Sequence, residues 1–181
     1  MVIYLGKMNE TESKDFTHLK IHSQYSICEG ALRISDLAKY CKNEKTKAIG
    51  LCDTNNLCGA LEFSELIAKS KTQPIIGTQI NLRYKNNIGK IPLFAKNLEG
   101  YKNLIKLSSK SFLDINSEQE PHCNIEDLEN YSDGIILLTG SFDSLIGTLF
   151  FKNLTDETLL LVKKLKKIFG NNIYAEVQRH K

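Results

Sequence analysis

The sequence predicts an α/β fold in which a mainly parallel sheet, either open or closed as a barrel, is covered by helices. Short apolar runs alternate with helical patterns along nearly the whole chain, and turn-rich segments separate them. The chain has 181 residues, of which 41% are hydrophobic and 25% are charged. This composition is sufficient for one domain with a core of useful size.

The first half of the chain predicts two βα units in tandem, followed by a hairpin. Segment 86–89, Asn-Asn-Ile-Gly, is typical of the hairpin turn and leads into a returning strand over residues 91–95. Before it, the predicted elements are a strand over 16–22, a helix that contains Ile34, Leu37, Ala38 and Cys41, a strand over 48–52, a helix that contains Leu61, Phe63, Leu66 and Ile67, and a strand over 74–82.

The second half predicts further alternation of helices and strands. The elements are a helix over residues 98–113, a polar loop, a strand over 134–138, helices over 142–151 and 155–169, and a final strand over 172–177. Residues 1–15 are predicted to be a polar leader that precedes one domain over 16–181.

Polar residues follow several of the predicted strands. In sheets of this class, ligands bind at the carboxyl ends of the strands, so a functional site is expected there. The segments concerned are 22–26, 53–56, Gln79, and Gly140-Ser141.

Charge and cysteine content limit the possible functions. A formal net charge of +3 does not indicate a nucleic-acid-binding protein, so any polynucleotide contact must be argued from local features. The five cysteines form no Cys-x-x-Cys pair and follow no secretory leader, which predicts reduced thiols in the cytoplasm. The sequence contains no run of about 18 apolar residues, which a membrane span would need.

One motif and four further segments give the chain a family resemblance. Residues 16–26 (FTHLKIHSQYS) resemble the opening motif of PHP (polymerase and histidinol phosphatase) domains, in which a strand carries His-x-His. Agreement in order and spacing extends to residues 50–59 (GLCDTNNLCG), 74–79 (PIIGTQ), 95–104 (AKNLEGYKNL) and 133–140 (DGIILLTG). The segment NLEGYKNL and the turn NLCG at residues 56–59 resemble bacterial DNA polymerase III alpha subunits rather than free-standing PHP phosphatases.

The resemblance implies an irregular, seven-stranded β/α barrel at the N-terminus of a longer DNA-directed DNA polymerase, a nucleotidyltransferase. It predicts that this chain ends before the barrel closes. It also implies that Mg²⁺-dependent polymerisation belongs to other parts of the full-length protein, and that the PHP region docks the proofreading exonuclease subunit. DNA would be contacted only through the full-length polymerase.

The resemblance also implies a metal cluster, held by histidines and carboxylates, whose ligands this chain has mostly lost. His22 and Glu29 match ligand positions and are the residual candidates. The other alignable positions hold Lys20, Thr54, Gln79, Lys90 and Ser141 in place of histidine, histidine, glutamate, histidine, and cysteine or histidine. Ammonium groups cannot ligate a cation while protonated, and hydroxyl and amide groups are weaker ligands. No metal, cofactor or catalytic residue is therefore expected in this fragment.

Three functions remain open from the sequence. The first is a non-catalytic scaffold in which the two lysines supply the charge of the lost metal. The second is a phosphoesterase or 3′–5′ exonuclease that keeps a residual site with Zn²⁺ or Mn²⁺. The third is a truncated gene product with no maintained role.

Several polar residues have simpler explanations than a role in the site. His18 is expected to be a hydrogen-bonded strand residue, and His122 and His180 are expected to be exposed to solvent. Asp53 and Asn56 are expected to form turns. The lysines of helix 155–169 are expected to cover a solvated face: they are Lys163, Lys164, Lys166 and Lys167.

Overall fold

A computed structural model describes residues 16–116 and 118–177, so the predicted leader at 1–15 and His180 lie outside the described residues. Within these ranges, six helices accompany one six-stranded sheet. The helices are α1 (Ile34–Glu44), α2 (Ala60–Lys69), α3 (Leu98–Leu113), α4 (Ile125–Tyr131), α5 (Leu145–Phe151) and α6 (Thr155–Phe169). The strands are β1 (Ala48–Thr54), β2 (Gln73–Tyr84), β3 (Asn87–Ala95), β4 (Cys123–Asn124), β5 (Ile135–Leu138) and β6 (Ile173–Tyr174).

The sheet is mixed rather than mainly parallel. Its strand order is β1-β2-β3-β5-β6, and β4 pairs with β2 beyond the end of β1. The pairs β1 with β2, β2 with β4, and β5 with β6 are parallel, whereas β3 is antiparallel to both of its neighbours. The hairpin from β2 into β3 reverses the chain once, and this reversal makes the sheet mixed. The predicted α/β class and incomplete barrel are confirmed.

The pleat of the strands separates two faces of the sheet. Leu51, Leu93 and Leu137 point toward the helices and belong to the cores built with them. Their neighbours Cys52, Phe94 and Leu138 point to the other face, called the inner face below, where they form a small cluster. Because side chains alternate along a strand, every second residue of β1, β2 and β3 faces inward.

The prediction of a strand over residues 16–22 is wrong, because these residues do not form a regular strand. Ile21 makes a single parallel bridge to Leu51, and the Gly50 N–H donates to the His18 carbonyl at 2.7 Å. A side chain at Gly50 would place its Cβ 2.3 Å from the carbonyl oxygen of Leu19, so glycine permits this approach. This first segment therefore lies beside β1 without forming a full ladder.

The hairpin turn lies slightly earlier than predicted. Tyr84 pairs with Asn87, which leaves Lys85 and Asn86 as the turn and extends β3 to Asn87–Ala95. Lys85 adopts φ +54°, the left-handed conformation that a two-residue hairpin turn requires at its first position. Lys90 consequently lies in the middle of β3 rather than before the returning strand.

Further differences from the predictions concern helix α5, the last strand and the predicted polar loop. Helix α5 begins only at Leu145, because the Ser144 hydroxyl accepts a hydrogen bond from the Gly147 N–H at 3.0 Å and caps the helix. The last strand is shortened to Ile173–Tyr174. Strand β4 and helix α4 occupy part of the predicted polar loop; the Asp127 carboxylate caps α4 by accepting from the Asn124 N–H at 2.8 Å.

Two other expectations can be compared with the structure. All five cysteines are free. Among the described residues, no helix has both the length and the apolar character needed to cross a bilayer.

The start of α3 packs against the loop before β5 through two glycines. A Cβ on Gly100 would lie 1.9 Å from the carbonyl oxygen of Gly134, which already accepts a hydrogen bond from the Lys96 N–H at 2.8 Å. The backbone contact therefore depends on the missing side chain.

We predict that Gly100→Ala destabilises the protein by about 1 to 3 kcal/mol, because the backbone must move to relieve the clash. Helix propensity alone predicts the opposite sign, a gain of about 1 kcal/mol. Ser109→Ala, at an exposed position of the same helix, is the control and should change stability by at most about 0.5 kcal/mol. Urea unfolding measures both variants, and equal or higher stability of Gly100→Ala would contradict the packing argument.

Candidate functional site

The inner face of the sheet brings three of the predicted site residues together. Thr54 ends β1 and is paired with Gln79 of β2, and Lys90 of β3 lies opposite Asn81, two residues farther along β2. Gln79 thus lies within β2, beside the end of β1, rather than after a strand. The predicted grouping at the carboxyl end of β1 is present.

Glu29, from the loop before α1, is the centre of this group. The Lys90 ammonium donates to one of its carboxylate oxygens, and the Thr54 hydroxyl donates to the other. The Gln79 side-chain N–H donates to the Thr54 oxygen at 2.8 Å. Since the single hydroxyl proton of Thr54 goes to Glu29, its oxygen is free to accept from Gln79.

The surroundings of Glu29 favour its charged form. Partial burial alone would raise the pKa of Glu29, but the hydrogen bonds from Lys90 and Thr54 outweigh burial and leave this pKa below its ordinary value. The carboxylate is thus held ionised by a lysine and a threonine.

His22 lies at the edge of the same network. Its Nδ1 atom is 3.9 Å from a Glu29 carboxylate oxygen and 3.4 Å from the Ser26 hydroxyl. Burial is the largest influence on the pKa of His22 and lowers it; Glu29 opposes this shift and Lys20 adds to it. The imidazole is therefore favoured in its neutral form.

Lys20 and Ser141 have partners of their own that the sequence did not indicate. The Lys20 ammonium lies 3.5 Å from the Glu176 carboxylate, whose side chain is completely buried. The Ser141 hydroxyl donates to Asp143 at 2.7 Å. Burial alone would raise the pKa of Asp143, but the Ser141 hydrogen bond, together with Lys20, lowers it.

Asp53 positions the first loop over the site. Its buried carboxylate accepts hydrogen bonds from the Ser23 N–H, the Ser23 hydroxyl and the Ser26 hydroxyl, each at 2.7 Å. Asp53 therefore ties a distant segment to β1, and the prediction of a turn former is wrong for it. Asn56 does form a turn: its side chain donates to the Thr54 carbonyl at 2.9 Å and accepts from the Cys58 N–H at 3.0 Å.

Five of the seven predicted site positions therefore share one network, and two lie at its border. The five are His22, Glu29, Thr54, Gln79 and Lys90; the two are Lys20 and Ser141. Sequence reasoning missed Asp143 and Glu176. Asp143 follows β5 closely, and polar residues after a strand are expected at a functional site, so its position could have indicated its role. Glu176 could not be assigned to the site because the sequence pattern of the last strand is weak.

The other histidines lie elsewhere. His18 is exposed and packs edge to face against Phe16, with 4.8 Å between ring centroids, so it does not join the site. The prediction that His122 is solvated is wrong. Its side chain is buried, and Nδ1 lies 2.7 Å from the Glu120 carbonyl, because β4 and α4 fold the presumed loop onto α3.

The residues of the site do not fit a metal cluster. Both oxygens of Glu29 already accept hydrogen bonds, one of them from an ammonium group that would repel a cation. Over residues 16–116 and 118–177, no three His, Cys, Asp or Glu side chains are grouped to hold a metal ion.

Comparison with known proteins gives consistent relatives. The PHP domain family matches residues 18–180. DNA polymerase III subunit alpha of Rickettsia felis is 37% identical over 167 residues, which is 92% of this chain and 14% of that protein. The corresponding subunit of Borreliella burgdorferi is 38% identical over 176 residues, or 91% of this chain and 15% of that protein. The chain thus spans about 15% of the length of the curated relatives that it matches.

A solved structure supports the fold. An amidohydrolase from Chromobacterium violaceum, with bound sulfate and no metal, superposes with a TM-score of 0.50 at 10% identity. The match covers 88% of this chain and 84% of that protein. With the family match over most of its length, this chain belongs to the PHP domain family, and its recognised relatives are DNA polymerase III alpha subunits.

Proposed function

We propose that this chain is the PHP module of a bacterial DNA polymerase III alpha subunit and that it acts as a scaffold without hydrolytic activity. One observation carries the second part: the Lys90 ammonium is bonded to Glu29, one of the two residues that retain the family's ligand type. Nothing comparable supports the phosphoesterase or the truncated-product alternative.

The lysines are proposed to replace the charge of the metal ions. A divalent cation in such a site draws carboxylates and imidazoles from several strands toward one point. Here Lys90 holds Glu29 of the first loop, and Lys20 holds Glu176 after the last strand. Each ammonium thus joins elements far apart in the sequence, which is the structural part of a metal's role without its ability to activate water.

The wider role follows from the relatives. In a full-length alpha subunit, this module would accompany a DNA-directed DNA polymerase, a nucleotidyltransferase that uses Mg²⁺ in another domain and works in the cytoplasm. Its immediate partner would be the remainder of the same polymerase. By family resemblance, a further partner would be the proofreading exonuclease subunit, and DNA would be bound through the polymerase as a whole.

The first prediction from the scaffold proposal concerns the coupling between Lys90 and Glu29. A double-mutant cycle of Lys90→Gln and Glu29→Gln should give a coupling free energy of about 1 kcal/mol at pH 7, because the pair is partly shielded from water by the inner face. The control is the exposed pair Lys39 and Asp36, 2.9 Å apart in α1, which should couple more weakly because solvent screens the two charges. Equal coupling in the two pairs would argue against a structural role for Lys90.

The same coupling should depend on pH. The pKa of Glu29 is lower in the folded protein than in the unfolded chain, so its contribution to stability is present above the unfolded pKa and is lost as pH falls through the folded pKa. The coupling should therefore decrease below about pH 4. Urea unfolding of the four proteins of the cycle at pH 7 and pH 3 measures the change, and a coupling that stays constant would exclude an ionic pair.

The second prediction concerns metal content. The purified chain should contain no stoichiometric Zn or Mn by mass spectrometry of the metals, and its hydrolysis of p-nitrophenyl phosphate should be unchanged by His22→Ala. The variant Lys90→His with Gln79→Glu, which restores two family ligands beside Glu29 and His22, is the comparison and should gain metal affinity. Stoichiometric metal in the natural sequence, with activity abolished by His22→Ala, would establish the phosphoesterase alternative.

The third prediction concerns the partner. The exonuclease subunit should bind the intact alpha subunit, and deletion of the PHP module from that subunit should reduce the binding. Isothermal titration calorimetry measures the affinity of the exonuclease subunit for the intact alpha subunit and for the deletion variant. Undiminished binding after the deletion would remove the proposed partner while leaving the scaffold role untouched.

A further inference from the structure

Lysines line a concave surface at the opposite end of β1 from the candidate site. We call this surface the basic groove; it encloses about 390 Å³ between the end of α1 and the end of α2. None of the described residues that line it is acidic. The charged residues of the groove are Lys42, Lys45, Lys47, Lys69 and Lys71, and all of them are exposed.

Hydrogen bonds fix the two sides of the basic groove relative to each other. The Ser70 hydroxyl donates to the Ala38 carbonyl at 3.1 Å, and the Thr72 hydroxyl donates to the Thr46 carbonyl at 2.8 Å. The Gln73 N–H donates to the Lys47 carbonyl at 2.9 Å where β1 and β2 begin. The groove is therefore a built part of the fold rather than a chance approach of two loops.

The positive charge of the groove is not explained by stability alone. Lysines in the last turn of a helix interact favourably with its dipole, which accounts for Lys42 and Lys69. Lys45 and Lys71 follow the last helical residues at positive φ, a conformation in which glycine or asparagine is the usual residue at a helix end. Within the described part of the chain, Lys42, Lys45, Lys69 and Lys71 form no ion pair.

Aromatic side chains line a second concave surface next to the groove. This aromatic shelf encloses about 320 Å³ and shares Lys45, Thr46 and Lys47 with the groove. Its aromatic residues are Phe16, His18 and Tyr40; Phe16 is 50% exposed and Tyr40 is 47% exposed. Glu44 is the one acidic residue among the described residues that line the shelf.

We propose that the basic groove and the aromatic shelf together bind a single-stranded polynucleotide. The lysines would contact successive phosphates, and a base would stack on the exposed ring of Tyr40. A positively charged groove beside aromatic side chains is the combination by which proteins bind single strands without reading their sequence. A duplex keeps its bases stacked inside and would leave the shelf unused, and a flat bilayer cannot enter a concave surface.

The binding surface is separate from the candidate site. Ala48 begins β1 near the groove and Thr54 ends β1 at the site, so about 20 Å of strand lies between them. The proposal therefore does not depend on whether the other end of the strand binds a metal or acts as a scaffold.

The test uses the whole 181-residue chain and a fluorescent oligothymidylate of about 12 nucleotides, followed by anisotropy. The triple variant Lys42→Gln, Lys45→Gln, Lys71→Gln should weaken binding at least about tenfold, and the slope of log affinity against log salt should fall by about 2, as three phosphate contacts require. The charge-matched control removes Lys163, Lys166 and Lys167, which are exposed on α6, and should bind almost as well as the natural chain. An equal loss in both triple variants would overturn the proposal.

The aromatic shelf has its own test. Tyr40→Ala should weaken binding about fivefold or more through lost stacking, whereas Phe112→Ala, which removes a ring of similar exposure on α3, should have no effect. Duplex DNA, vesicles that contain phosphatidylserine, and polyglutamate serve as competing anions. If any of these binds as tightly as the oligothymidylate, or if Tyr40→Ala leaves binding unchanged, the single-strand proposal is overturned. Thermal melting of each variant verifies that it remains folded.

Discussion

Two lysine–carboxylate pairs on the inner face of the sheet join segments that are far apart in the sequence. The Glu176 side chain is completely buried, and a buried charge without a partner costs several kcal/mol. The consequence is visible in the shape of the molecule. Lys20 lies in the first segment, beside β1, whereas Glu176 follows β6, so their contact joins the two ends of the strand order. Lys90 and Glu29 similarly join β3 to the first loop. A contact between the two ends of the strand order requires the sheet to curve, and the Lys20–Glu176 pair lies where these ends meet.

The substitutions that the family resemblance implies at the site form a consistent set when charge is considered. Lysine in place of histidine adds positive charge, and glutamine in place of glutamate removes negative charge. An ammonium group can only donate hydrogen bonds, so it needs acceptors nearby. The carboxylates of Glu29 and Glu176 are those acceptors. Thr54 and Gln79 then complete the hydrogen bonding around Glu29 without adding charge.

The sequence predicted the elements whose patterns are long or strongly apolar. Helices α3 and α6 have the predicted bounds, because a period of 3.6 maintained over four turns is unambiguous. The two-residue β4 and the seven-residue α4 are too short for such a pattern, and burial of His122 depends on them. At the site, the end of β1 could be recognised from the sequence to within two residues, whereas Gln79 and Lys90 lie inside strands. The partner of Lys20 could not be recognised, since curvature of the whole sheet brings together residues 156 positions apart.

The two ends of β1 show how the same residue type serves different purposes. At the carboxyl end, the Lys90 ammonium contacts the Glu29 carboxylate, and this contact joins β3 to the first loop. At the amino end, lysines of two helix termini converge on a surface lined by no described acidic residue. Repulsion between those lysines opposes their convergence, yet hydrogen bonds from Ser70 and Thr72 maintain it. The net charge of +3 is a sum over the whole chain, so it does not reveal that positive charge is concentrated in the basic groove. That concentration is apparent only in the folded structure.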